Sequence, residues 1–122
     1  MLNEYGKFVR QLRIKNNENL LDMATKLEVS MAFLSKLESG KKTIPLGYGE
    51  KISTIYNLNE EESKALVDAI NISNKKLTID LDNMNSDRVD VSLTFARTIN
   101  SASQKSLEEL RKLLKEIESN EM

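Results

Sequence analysis

Acid/base, nucleophilic and metal chemistry each need particular side chains, and this sequence carries few of them. It contains neither cysteine nor histidine, which removes disulfides, thiolate metal sites, a cysteine nucleophile, the commonest general base and the two commonest zinc ligands together. Only carboxylates remain for such work. Their densest stretches are Asp80-Leu81-Asp82 and Asp87 with Asp90. Both read more simply as the polar face of a strand and the start of a helix, so no enzyme, metal or cofactor is expected. The chemistry left is ionic. The chain carries a net charge of −1, but Lys and Arg outnumber Asp and Glu nine to six over residues 1–56 and trail them nine to thirteen over residues 57–122. The first half, with an exposed basic loop at Lys41-Lys42-Thr43, is the half suited to a polyanion.

These groups must be positioned by helices, because the apolar residues of the first half recur at helical spacing. Tyr5, Phe8 and Leu12 predict a helix over residues 4–16, ended by Asn16-Asn17. Asn19 caps a second helix with the stripe Leu20, Met23, Ala24 and Leu27. Glu28-Val29 interrupts it, and Ser30 caps a third helix, with Leu34 and Leu37 inward and an end at Ser39-Gly40. Pro45, the only proline, precedes a fourth helix through Tyr48, Ile52 and Ile55. Asn59-Glu60-Glu61-Glu62 resembles a capping box and opens a fifth through Leu66 and Ile70.

The period then changes to two. Leu77, Ile79 and Leu81 alternate with Thr78, Asp80 and Asp82, which predicts a short strand, and an unpaired strand needs the same strand of another subunit. A turn at 83–86 leads into a sixth helix carrying Val89, Leu93, Phe95, Ala96 and Ile99. Leu107, Leu110, Leu114 and Ile117 then form an a/d stripe on a seventh, opened by Ser106-x-x-Glu109. That seam could pack on helix six of its own chain or on a second subunit. The expected architecture is mainly α: a five-helix domain over residues 1–73, then a strand and two helices over 74–122 that dimerise through Leu77, Ile79, Leu81, Leu107, Leu110, Leu114 and Ile117.

Residues 23–41 carry a recognisable order: Met23-Ala24-x-x-Leu27-Glu28-Val29-Ser30, then Leu34-Ser35-Lys36-Leu37-Glu38, then Gly40-Lys41. This resembles the Xre/Cro/CI (lambda repressor-like) helix-turn-helix family over roughly residues 4–58. The resemblance implies a double-stranded DNA-binding transcriptional regulator, a homodimeric repressor of the kind found in phages and mobile elements. It puts Ser30, Met31, Ala32, Ser35 and Lys36 on a helix offered to the major groove. Lysine there can donate to guanine O6 and N7, serine can bond several bases, and Met31 or Ala32 can meet a thymine methyl. Lys41 and Lys42 are expected on phosphates. The same resemblance pairs Arg13 with Glu38 in a salt bridge tying helix one to helix three. Two positions depart from the pattern: Glu28 stands at the turn glycine, and Leu20 replaces a glutamine that touches DNA.

A second reading keeps the fold but makes it a protein-interaction module such as an antitoxin, antirepressor or inhibitor, with a protein partner for the acidic second half. Leu20 and the uncharged Met31-Ala32-Phe33 segment favour it. The start of the chain lacks the apolar core of a signal peptide, and no run reaches the length that spans a bilayer. A cytoplasmic address and no membrane partner are therefore expected.

Overall fold

The computed structural model describes residues 1–120. Its elements, in order, are α1 (Glu4–Lys15), α2 (Leu20–Leu27), α3 (Met31–Glu38), α4 (Tyr48–Ile55), α5 (Glu60–Asn74), α6 (Ser86–Thr98), a 3-10 turn (Ile99–Ser101) and α7 (Gln104–Asn120). The chain divides into two compact units, Met1–Thr78 and Ile79–Met122.

Asparagine starts each of the first two helices and the fifth. The side chains of Asn3, Asn19 and Asn59 accept from the backbone N–H groups of Gly6, Asp22 and Glu62, satisfying donors that the first helical turn leaves open. At Asn19 and Asn59 the capping box is reciprocal. The Asn59 N–H donates to the Glu62 carboxylate, which holds that group below its ordinary pKa. The five helices bury a single core in which Tyr5, Val9, Met23, Leu27, Leu34, Leu37, Ile52 and Leu66 are fully enclosed. α1 packs chiefly on α5, and α2 and α3 lie against each other.

The end of α5 also braces the start of the chain. The Ser73 hydroxyl accepts from the Tyr5 N–H at 2.9 Å, and the Asn74 amide both accepts from and donates to the backbone of Ile44, at 3.0 and 3.1 Å. The loop between α3 and α4 is thereby pinned to α5.

The strand expected at Leu77, Ile79 and Leu81 does not form. Among the described residues there is no strand at all, and the architecture is all-helical. The alternation of apolar residues is real, but those three side chains stand exposed, with no ladder to hold them. The Asp80 carboxylate accepts from the Asp82 N–H at 2.9 Å and curls the segment, so a local side-chain bond displaces the ladder. A strand-to-strand pairing of subunits loses its element with it. In the second unit α6 starts at Ser86 behind an Asn85 cap, as its pattern suggested. α7 starts earlier than Ser106: the Ser103 hydroxyl accepts from the Ser106 N–H, so Ser103, not Ser106, opens the helix. Leu107 and Leu110 are half-buried, and Leu114 and Ile117 are exposed.

Candidate nucleic-acid interface

The α2–turn–α3 element is built by its caps. Glu28 closes α2 in the left-handed conformation, φ 59° and ψ 43°, and the N–H of Val29 returns to the Ala24 carbonyl at 3.0 Å. This is the conformation that glycine supplies at no steric cost, and a residue with a Cβ gives up about 1 kcal/mol to adopt it. The turn therefore forms with a side chain at this position. Ser30 then accepts from the Phe33 N–H at 3.0 Å and starts α3.

α3 is two-sided. Leu34, Leu37 and Glu38 are buried, whereas Met31, Ala32, Ser35 and Lys36 are exposed on the other face, with Met31 showing 43% of its surface. Phe33 is half-buried between the two, edge-on to Tyr48 with ring centroids 6.4 Å apart. Leu20 is likewise half-buried against the core, which leaves no polar group at that place.

The buried side of α3 is gripped by α1. Arg13 donates two parallel hydrogen bonds to the Glu38 carboxylate, at 2.7 and 2.9 Å, and both side chains are almost wholly enclosed. These bonds raise the arginine's pKa still further, so it stays cationic and the fork remains bidentate. The salt bridge expected between these residues is present.

Asn3 adds a second grip that the sequence concealed. Its backbone N–H donates to the Glu38 carbonyl and its side-chain amide to the Leu37 carbonyl, both at 2.9 Å, so the last carbonyls of α3 gain partners from the start of α1. Gly6 makes this approach possible. A Cβ there would lie 2.6 Å from the Glu38 carbonyl oxygen. Neither Asn3 nor Gly6 is singled out by the sequence, and a reach across 34 residues has no local signal.

The end of α3 gathers the cations. The N–H groups of Lys41 and Lys42 both return to the Lys36 carbonyl, at 3.0 and 3.2 Å, behind Gly40 in its left-handed conformation. All three lysines are thus held at one helix end, where the dipole favours positive charge. Among the described residues none of the three forms a salt bridge. Lys42 lies 5.2 Å from the Phe33 ring centroid, an arrangement that biases its ammonium toward α3. A further network holds α2: Glu18 pairs with Lys26 and accepts from the Tyr56 hydroxyl at 2.6 Å, and Lys26 sits 4.9 Å over the Tyr56 ring. None of these three residues was singled out by pattern alone.

Among the described residues no cluster of acidic side chains is arranged to hold a metal ion, and no helix is long and apolar enough to cross a membrane. Comparison with protein-family models, curated proteins and solved structures gave no match.

Proposed function

We propose that this chain is a sequence-specific, double-stranded DNA-binding transcriptional regulator that acts by occupying its site, with α3 as the helix presented to the major groove. The observation that carries the reading is the division of α3. Its inner face is fixed by Leu34, Leu37 and the Arg13–Glu38 fork, while Met31, Ala32, Ser35 and Lys36 are left outward with three unpaired lysines gathered at its end. A rigid helix with a short, mixed polar and apolar outer face fits base-edge readout, in which Lys36 addresses guanine and Ser35 its neighbours. Lys41 and Lys42 supply phosphate contacts that orient the helix without specifying sequence.

The test is selection of bound duplexes from a random library with the full chain, followed by affinity measurements across a salt series. A selected sequence is expected to bind more tightly than scrambled duplex, with affinity falling steeply as salt rises. Lys36→Ala should cost about 1–3 kcal/mol and relax preference at one base pair, whereas Lys42→Ala should weaken all sequences alike and lower the salt slope by about 1. Failure to enrich any sequence, or equal losses on all sequences for both variants, would overturn the reading. Binding of a protein in place of DNA through the same α3 face would instead establish an interaction module.

A further inference from the structure

We infer that Phe33 is a positioning residue for DNA binding: its ring, held by Tyr48, fixes the Lys42 ammonium at the end of α3, so that this lysine meets a phosphate already ordered. The inference rests on the DNA-binding reading and adds to it a residue that acts through another.

The two lysines that follow α3 are held differently. The N–H groups of both return to the Lys36 carbonyl. Lys42 is tied a second time, because Ile44, just beyond it, is clamped at its N–H and its carbonyl by the Asn74 amide, at 3.0 and 3.1 Å. The side chains differ as well. The Lys42 ammonium stands 5.2 Å from the Phe33 ring centroid, whereas Lys41 lies over no ring among the described residues. Lys42 is therefore fixed in backbone and side chain, and Lys41 in backbone alone.

The ring itself is anchored. Phe33 is half-buried against the core, and its ring and that of Tyr48 lie 6.4 Å apart with planes at 66°, the edge-to-face geometry that aromatic pairs favour. Tyr48 is buried at the start of α4. One turn later Lys51 places its ammonium 5.5 Å from the Tyr48 centroid. The same ammonium donates to the Leu27 carbonyl at 2.8 Å, at the end of α2, where open carbonyls and the helix dipole favour a cation. Contacts thus run without a gap from the end of α2 through Lys51, Tyr48 and Phe33 to Lys42. The lysine is placed relative to both helices of the α2–turn–α3 element.

The arrangement suits a phosphate contact. A lysine over a ring face keeps its N–H donors, so it can meet a phosphate oxygen without leaving the ring. Immobilising a free lysine on a phosphate costs rotamer freedom, and Lys42 has given up part of that freedom before DNA arrives.

The test uses the full chain with Phe33→Leu, which removes the ring but keeps an apolar side chain, and Phe33→Tyr, which keeps the ring. In the free protein the Lys42 methylene protons, assigned by NMR, are expected upfield of those of Lys41. Phe33→Leu should return them to the Lys41 position, and Phe33→Tyr should not. On a duplex selected from a random library, Phe33→Leu is expected to weaken binding roughly two- to fivefold, on selected and scrambled duplex alike. The salt slope should stay, because Lys42 still reaches its phosphate, and Phe33→Tyr should bind as wild type. In a Lys42→Ala background the Phe33→Leu loss should vanish. A ring that merely supported α3 would give a loss that persists in that background and a changed base preference, and either result overturns the inference. Every tyrosine, Tyr5, Tyr48 and Tyr56, lies in the first unit, and there is no tryptophan. The near-ultraviolet tyrosine signal therefore reports whether that unit stays folded in Phe33→Leu. Should it not, the wild-type protein still decides: Lys42 methylene protons at the Lys41 position, in a chain that binds duplex, overturn this inference alone. A wild-type chain that binds no duplex overturns the DNA-binding reading and this inference with it.

Discussion

The Arg13–Glu38 pair shows how much of this domain turns on one side-chain contact. Enclosing both charges is costly, and their mutual attraction repays that cost only because the fork is bidentate. Glu38→Ala leaves the guanidinium enclosed without its counter-charge and is expected to cost about 3–5 kcal/mol, read as a drop in the urea midpoint. Arg13→Met combined with Glu38→Leu should recover most of the loss, because the pair is a positioning device more than a source of stability. If the double variant were as unstable as the single, the fork would be contributing net stability of its own. Two tyrosines give the residue scale its pH dependence. Burial raises the pKa of Tyr5, helped by nearby Glu38, and burial with the hydrogen bond to Glu18 does the same for Tyr56. The fold holds both as neutral phenols, so their contribution is fully present below the ordinary tyrosine pKa of 10.0 and declines as pH rises past it. Tyrosinate absorbance should accordingly appear together with unfolding in alkali; free titration near the ordinary value with the helices intact would contradict this.

At the scale of elements, α1 comes very close to the end of α3, and Gly6 makes room for that approach. Alanine is the better helix former by about 1 kcal/mol, so Gly6→Ala would stabilise α1 if that helix stood free. The new Cβ meets a backbone oxygen at 2.6 Å, which no rotamer change relieves. The net effect is expected to be a loss of about 1–3 kcal/mol, read by thermal unfolding; on the proposed function, displacement of α3 should also weaken DNA binding in the affinity series. An unchanged or raised midpoint would show that the contact yields without strain. The comparison also marks what the sequence could convey. Helices whose ends are written locally were legible, in Asn19, Ser30, Asn59 and Gly40, and so was the inward stripe of each. The pattern puts Leu34 and Leu37 inward, whereas the outward placing of Met31, Ala32, Ser35 and Lys36 comes from register with the resembled family; all four are exposed. The strand failed for a physical reason: alternation at Leu77, Ile79 and Leu81 states which side chains could share a face, but a strand exists only if its backbone finds a ladder, and Asp80 takes the Asp82 N–H instead. The Asn3 clamp, the Glu18–Lys26–Tyr56 network and the Asn74–Ile44 pairing join segments far apart in the chain, and no periodicity encodes such meetings.

For the whole molecule, the two units differ in kind. The first has a closed core of thirteen buried apolar residues, from Tyr5 to Ala69, and its polar bracing at Asn3, Arg13, Ser73 and Asn74 lies within its own boundary. The second has helices with capped ends but no enclosed side chain, and a 13-residue helix such as α6 is only marginally stable in water without tertiary packing. Their responses to dilution should therefore separate. Monitored by tyrosine near-ultraviolet dichroism, thermal unfolding of the full chain is expected to have a midpoint independent of protein concentration. Monitored by far-ultraviolet helicity, the same samples should show an additional component whose midpoint rises with concentration if the apolar stripe of α7 is covered by another chain, as mass action then requires. A chain ended after Thr78 should keep the tyrosine transition and lose the concentration-dependent one. Coincident, concentration-independent transitions for both signals would mean that α6 and α7 gain their stability within one chain, and truncation at Thr78 would then lower the tyrosine midpoint as well.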